Sequence, residues 1–518
     1  MSSKRIPMVQ AAAFAVAALA GTATGFSAFA AQRDMVLAVP AITYTLDPMG
    51  WNSNVNERVS NNVIESLVEY DYEKNTFKPM LATSWKIVDD RTIEFTLRQG
   101  VKCHNGEDFD ANDVAISMGP KRYLGEGAPG WQTGRYFFGN IKTIEVIDKY
   151  NVRLRSDIPD PLMLNRLSTW MSQMVCGDAY LAAKSWEEWG RTVVGTGPYR
   201  LAEMKARESH KLVAFDGYWG KKAPASSVTF KVVPETAPRV AGLITGEYDV
   251  ITEIVPDQFD TIEKSGKATI SGGPVNNLRV ILYDKRHPSL ADPRMRQALS
   301  YAIDRKLIAD TLFKGRIGIP HSLQMNTFDH MLIKEHKAIG YDPAKARQLA
   351  AAAGYKGEEI AYRYRQDYYT GEVQTAQILQ AMWKAVGINV KLEMKESGDE
   401  ITGAKALPGL GVFNISNGAY WNDPLGQIWR LYQPGGLIQG YKTWWNAEFD
   451  ALGKDLLGTD KDKRRAAFAK MLEIYDYADP PGTTLHNFPL FYGVKKSVKW
   501  KGGLTGFMDF RADNLSFE

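Results

Sequence analysis

Hydrophobic and polar positions switch between two periods along this chain, and each switch marks an element. Met35 to Val39 is a short apolar run closed by Pro40 and reads as a strand, and Leu46-Asp47-Pro48 follows as a turn. From Val55 to Val68 the apolar residues Val55, Val59, Val63, Ile64 and Leu67 recur at the spacing of one helix face, which predicts an amphipathic helix over 55–68. Trp85 to Leu97 alternates in the strand manner, most clearly at Thr92-Ile93-Glu94-Phe95-Thr96-Leu97. Asp110 is placed to cap a helix running through Met118, because its carboxylate can accept the free N–H groups of the first turn. Ser227 to Val233 alternates again and stops at Pro234.

The second half continues in the same mixed style. Asp292-Pro293 opens a helix through Ile303, and Pro343 begins another that Gly354 stops near Ala353. A third helix spans Val373 to Val386 and ends at Gly387, with a strand over Ile388 to Met394 behind it. Helix, glycine stop and strand make an α/β unit. The chain shows no internal repeat and no low-complexity linker, so its parts are expected to be joined by strands or short hinges.

Length then sets the number of parts. Single cores stop growing near roughly 250–300 residues, so 518 residues imply two or more domains. Hydrophobic residues at 44% and charged residues at 24% place the chain among ordinary globular proteins. The formal charge of +4 falls to +2 when Lys4 and Arg5 are set aside, which gives no reason to invoke nucleic acid or an anionic membrane. Those two residues belong to a separate feature. They form a positive start, followed by an Ala-rich apolar stretch from about Val9 to Ala20 and by Ala28-Phe29-Ala30, with small residues at the −3 and −1 positions. This is the pattern of a secretory signal peptide over 1–30, cleaved after Ala30. No cysteine precedes Cys103, so lipidation at the cleavage point is not expected, and the mature protein is expected free in the periplasm. Export permits a disulfide between the two cysteines, Cys103 and Cys176; two unrelated buried thiols fit the sequence equally well.

The motifs of catalysis are missing. No Ser stands in G-x-S-x-G, no H-E-x-x-H occurs, and Gly-Lys at 220, 266 and 453 is never followed by Ser or Thr as a P-loop needs. Gly195-Thr196-Gly197 begins like a dinucleotide loop, but Arg200 stands where its third glycine belongs. The seven histidines are scattered without metal-ligand spacing, so neither a metal site nor a cofactor is expected.

Several blocks, in order, carry a resemblance. They are Leu81-Ala82-Thr83-Ser84-Trp85; Leu97 to Gly106 with Ala111-Asn112-Asp113-Val114; Gly195-Thr196-Gly197-Pro198-Tyr199; Tyr218-Trp219-Gly220 with Gly246 to Val250; Arg294 to Arg305; and Gly387-Ile388-Asn389-Val390. In that order and spacing the chain resembles the solute-binding protein family 5 of ABC transporters, the dipeptide-, oligopeptide- and nickel-binding receptors. The resemblance implies an α/β, two-lobe periplasmic binding protein of the cluster C type, with an extra subdomain inserted in the first lobe. Lobe one would comprise 31–75, 195–278 and 490–518, the inserted subdomain 76–194, and lobe two 279–489. The chain would cross between lobes near Asn277–Tyr283 and Pro489–Phe491. The implied activity is capture of a small-molecule ligand by lobe closure and delivery to ABC permease subunits in the inner membrane. The receptor would be a monomer, not an enzyme, with ATP hydrolysis left to other subunits.

One departure bears on the ligand. Peptide-binding relatives carry an acid four positions before the proline of the stretch that here reads Tyr420-Trp421-Asn422-Asp423-Pro424, and that acid pairs with the peptide's ammonium group. Here the position is Tyr420, which carries no charge near neutral pH. A buried ammonium without a counter-ion is costly, so ordinary peptides are disfavoured. Asn417, Tyr420, Trp421, Asn422 and Asp423 have the composition of a polar site suited to an opine-, sugar- or peptide-like solute, with core packing the rival role for Trp421. Two further clusters join the candidate site. Arg365 and Tyr368, beside Arg363 and Tyr369, could meet a ligand carboxylate. Asn54, Asn56, Glu57 and Arg58 stand at a helix start, where backbone N–H groups could receive an anionic oxygen or simply be capped.

Overall fold

A computed structural model of the protein describes residues 33–49, 58–366, 369–401 and 410–518. The expected signal peptide and the candidate residues Asn54, Asn56, Glu57 and Tyr368 lie outside the described residues.

Ten strands share one sheet. From one edge to the other they are Val390–Met394, Ile360–Tyr364, Val412–Gly418, Ala268–Tyr283, Gly482–Lys495, Val250–Thr252, Arg33–Val39, Ala225–Val232, Ser209–Ala214 and Tyr199–Lys205. The two longest, Ala268–Tyr283 and Gly482–Lys495, lie side by side and antiparallel in the middle. Their pairing breaks between Pro274 and Leu278. Proline supplies no N–H to a ladder, and Gly272 and Gly273 take φ of 83° and 152°, so the sequence itself interrupts the pairing here. One wing is built on the parallel trio around Arg33–Val39, the other on the parallel trio around Ile360–Tyr364. In the second wing the strand Ile360–Tyr364, the helix Glu372–Ala385, Gly387 at φ 83° and the strand Val390–Met394 form the expected α/β unit.

A separate four-stranded sheet, in the order Ala82–Asp89, Thr92–Leu97, Asn151–Ser156 and Ile141–Asp148, falls within residues 76–194. The disulfide Cys103–Cys176 lies beside it, which settles the open alternative for the two cysteines. Local signals placed the helix starts well. Asp292, Asp304 and Asp342 each accept a backbone N–H of the helix that follows. Asp110 and Asp113 form a reciprocal capping box at the helix Ala111–Met118.

The helix expected over 55–68 is a correction. Helical backbone stops at Ser60, and a strand begins at Val68. The carbonyls that a helix would use are taken by another segment: Asn62 O accepts from Tyr199 N at 3.1 Å and Val63 O from Gly197 N at 3.0 Å. The Asn62 side chain also donates to Met508 O at 2.7 Å and accepts from Phe510 N at 2.9 Å. Val59, Val63, Ile64 and Leu67 are fully buried, so the apolar spacing reported burial on several sides and not one helix face. Gly195 is required at this contact, since a Cβ there would stand 2.1 Å from Val63 O.

That contact organises a buried acid. Glu65 accepts from Thr196 Oγ1 and Tyr218 OH at 2.9 Å each and from Trp219 Nε1 at 2.8 Å. Burial pushes its carboxyl above the usual range despite these three donors.

Candidate functional site

A cavity of about 460 Å³ opens where the two long strands separate. That volume suits a small molecule. Asn276 and Asn277 of one long strand and Leu490 of the other form its floor. Tyr70 and Tyr72 border it from the first wing, Trp170 from the inserted residues, and Gly418, Ala419 and Tyr420 from the second wing. The glycine-rich segment Lys501 to Phe507 closes one side, and Leu504 O accepts the backbone N–H of Asn276 at 2.8 Å. Several polar atoms of this lining have no hydrogen-bond partner in the protein: Asn276 Nδ2, Asn277 Oδ1 and Trp170 Nε1. Buried polar atoms are normally satisfied, so these orphans suit a ligand that presents both donors and acceptors.

The charges of the cavity are mostly matched. Asp71 has Lys78 at 3.2 Å, Glu73 has Lys501 at 3.1 Å, and Arg511 serves both Glu69 at 2.7 Å and Asp509 at 2.6 Å. Burial presses the Asp71 and Asp509 carboxyls upward, but Lys78 and backbone N–H groups at Asp71, and Arg511 at Asp509, outweigh it and hold both below the usual range. Both therefore stay ionised at neutral pH.

The expected residues divide sharply. Tyr420 lines the cavity, half-buried, with the Arg430 guanidinium 4.5 Å from its ring centroid and the Phe137 ring 5.8 Å away. Its neighbours turn elsewhere. Trp421 is only 6% exposed and packs on Arg166 and Phe137, so it offers the ligand no stacking face. Asn422, at φ 52°, donates to Tyr70 OH at 3.0 Å and to Thr327 O. Asp423 is buried, bound to Arg464 at 2.8 Å, and caps the turn at Leu425 N. Asn417 is fully buried outside the cavity lining, and neither polar atom of its side chain has a protein partner.

The other clusters do not reach this cavity. Arg58 is buried against Glu253 at 2.6 Å within the first wing. Arg365 is half-buried just beyond the strand Ile360–Tyr364, and Arg363 donates to Glu393 at 3.0 Å. Tyr369 packs under Arg279, 4.2 Å from ring centroid to guanidinium, and against Phe488. That arginine belongs to a knot the sequence did not announce. Arg279 and Glu372 form an ion pair at 2.5 Å with 1% and 0% exposure, and Asn414 donates to Glu372 at 2.7 Å and to Tyr362 OH at 2.9 Å. Sequence reasoning also missed Asn276, Asn277 and Trp170. Two successive asparagines inside a strand were the available signal, since asparagine is depleted in strands. Among the described residues no group of three or more His, Cys, Asp or Glu side chains is arranged to hold a metal ion.

A sheet shared by two wings, with a small-molecule cavity where two long strands cross between them, defines a two-lobe solute-binding receptor. The chain belongs to the bacterial extracellular solute-binding proteins, family 5, whose profile (the "middle" region of that family) matches residues 76–438. It is similar to the glutathione-binding protein GsiB of Salmonella paratyphi A, at 28% identity over 73% of each chain. It is similar also to the dipeptide-binding protein of Escherichia coli K12, at 25% identity over 84% of this chain and 85% of that one. The fold matches that of the periplasmic binding protein DppA from Helicobacter pylori in complex with the peptide STSA, with a TM-score of 0.79 and 23% identity over 94% of this chain and 98% of that one. Membership makes the protein a non-enzymatic solute-binding component of an ABC importer.

Proposed function

We propose that the protein is a periplasmic receptor that captures a small polar solute in the 460 Å³ cavity, reading amide-like donors and acceptors without an ion pair at position 420. The observation that carries this reading is the lining itself: uncharged Tyr420 beside the orphan polar atoms of Asn276, Asn277 and Trp170. A peptide-like solute whose amino end is substituted, an opine, or a small glycoside presents such groups. The lobes would be 31–75 with 195–278 and 490–518, and 279–489, with 76–194 inserted in the first. The interrupted pairing between Pro274 and Leu278 supports a hinge there. Residues 1–30 would be removed on export, without lipidation, leaving a monomer that docks on permease subunits.

A second reading has its own support. Glu69, Asp71 and Asp509 line the same cavity and could receive the ammonium group of an ordinary di- or tripeptide, in keeping with the relatives named for peptide and glutathione binding. Calorimetric titration separates the two. Dipeptides and glutathione are compared with their N-acetylated forms, and with an opine and a glycoside. The first reading expects free and acetylated peptides to differ by less than about tenfold, because a missing ion pair at position 420 leaves little for the ammonium to gain. A preference for the free ammonium of a hundredfold or more would refute it in favour of the second.

A further inference from the structure

Three consecutive residues of the second wing point to three different places. Tyr420 faces the cavity, Trp421 faces the inserted residues, and Asn422 reaches Tyr70 of the first wing. The middle contact is the most extensive. The Trp421 carbonyl accepts from Asn165 Nδ2 at 2.9 Å. The Arg166 guanidinium lies 4.4 Å from the Trp421 ring centroid, and Phe137 meets that ring edge-on at 6.3 Å. Arg166 is itself fixed, by Asp160 at 2.7 Å and by Phe137 O at 3.0 Å. The turn behind Trp421 is tight: a Cβ on Gly426 would stand 2.8 Å from Trp421 N. Phe137, Asn165 and Arg166 come from the inserted residues, and Trp421 from the far side of the cavity.

We propose that Trp421 is a closure latch, a positioning residue that holds the two sides of the cavity together without touching the solute. The proposal rests on the reading of the protein as a receptor that closes on its ligand. Its logic is one of coupled populations. Open and shut forms differ by whether the indole is seated between Arg166 and Phe137, a contact made between protein side chains alone. Because Tyr420 and Trp421 are adjacent, a solute that steadies Tyr420 also steadies the seated indole. Anything that loosens the indole lowers the shut fraction and weakens apparent binding by that fraction. The inserted subdomain thereby contributes to affinity although only its rim borders the cavity.

The test needs no ligand, so its outcome is separate from that of the ligand panel. The ligand-free mature protein is compared with Trp421→Leu, which keeps an apolar side chain, and with Asn165→Ala, which removes one hydrogen bond at the rim. The radius of gyration is read by small-angle scattering, and amide exchange is read at residues 131–137 and 418–423. Both variants are expected to expand the protein. They should also raise exchange on both sides of the contact together, by at least about tenfold for Trp421→Leu, with the strand Ile360–Tyr364 unaffected. An unchanged radius of gyration, or faster exchange confined to 418–423, overturns the proposal. Should Trp421→Leu fail to fold, Asn165→Ala decides by the same two readings.

Discussion

Loss of the Cys103–Cys176 bridge should destabilise the inserted residues by about 4 kcal/mol. The two cysteines are 73 positions apart, fully buried, and close a loop that holds the helix Ala111–Met118 and the strands Ile141–Asp148 and Asn151–Ser156. In the chain-entropy account, closing a loop of that length removes entropy from the unfolded chain equivalent to about 4.4 kcal/mol at 25 °C. Neighbouring contacts do not replace it, because they exist only in the folded state: Cys103 N donates to Glu107 O at 2.8 Å, and Gly177 N to Asp113 Oδ1 at 2.6 Å. The assay is urea unfolding of the oxidised protein against Cys103→Ala/Cys176→Ala, followed by tryptophan fluorescence and far-ultraviolet circular dichroism. With a slope of about 2–3 kcal/mol/M, the midpoint should fall by about 1.5–2 M. Two free thiols in the denatured, unreduced protein, or an unchanged midpoint in the double variant, would refute the reasoning.

Two other outcomes follow from buried charge. Arg279→Met should cost about 3–5 kcal/mol in urea unfolding, because it strands Glu372 at 0% exposure, and Arg279→Met/Glu372→Met should recover most of that loss. Four histidines give stability opposed pH dependences on the two sides of the ordinary histidine value of 6.5. Above that value, His336 decides: burial works against its charge, but Asp476 at 2.6 Å and Glu473 at 3.1 Å outweigh burial and raise its pKa, so its contribution is lost as pH rises through the folded value. Below 6.5, burial has lowered His104 and His210 to about 4 and His486 to about 3, so at these sites the unfolded chain binds protons first and their contribution falls as pH drops, opposed by Asp113, which burial pushes up to about 6. Titration of the urea midpoint from pH 5 to 9 checks both limbs, and His336→Gln should flatten only the upper one.

The legible parts of the chain were those decided locally. Asp110 and Asp292 cap helices because a carboxylate two residues ahead of an N–H needs nothing else. The ordered family blocks gave the architecture, but the sequence did not say why they are spaced as they are. Thr196, Tyr218 and Trp219 stand 131, 153 and 154 positions from Glu65, yet all three donate to its carboxylate. The helix expected over 55–68 failed for the same reason: distant backbone from Gly197 and Tyr199 took the carbonyls of Val63 and Asn62. At the candidate site, motif position brought Tyr420 to the cavity. It could not tell that Trp421 and Asp423 point away, since the direction of a side chain in an irregular turn depends on partners such as Arg166 and Arg464. The cavity floor at Asn276 and Asn277 was hidden because its role depends on where two strands part.

The central place of the strand Gly482–Lys495 sets the order in which the chain can acquire its shape. Arg33–Val39 neighbours Val250–Thr252, whose other edge is covered by Gly482–Lys495, far away in sequence. The facing edges of Val250–Thr252 and Ala268–Tyr283 thus stay unpaired until Gly482–Lys495 is available. Pairings across such sequence distances form slowly. A chain built this way can form its separate four-stranded sheet and its two parallel trios first, and joins them across the centre of the sheet last.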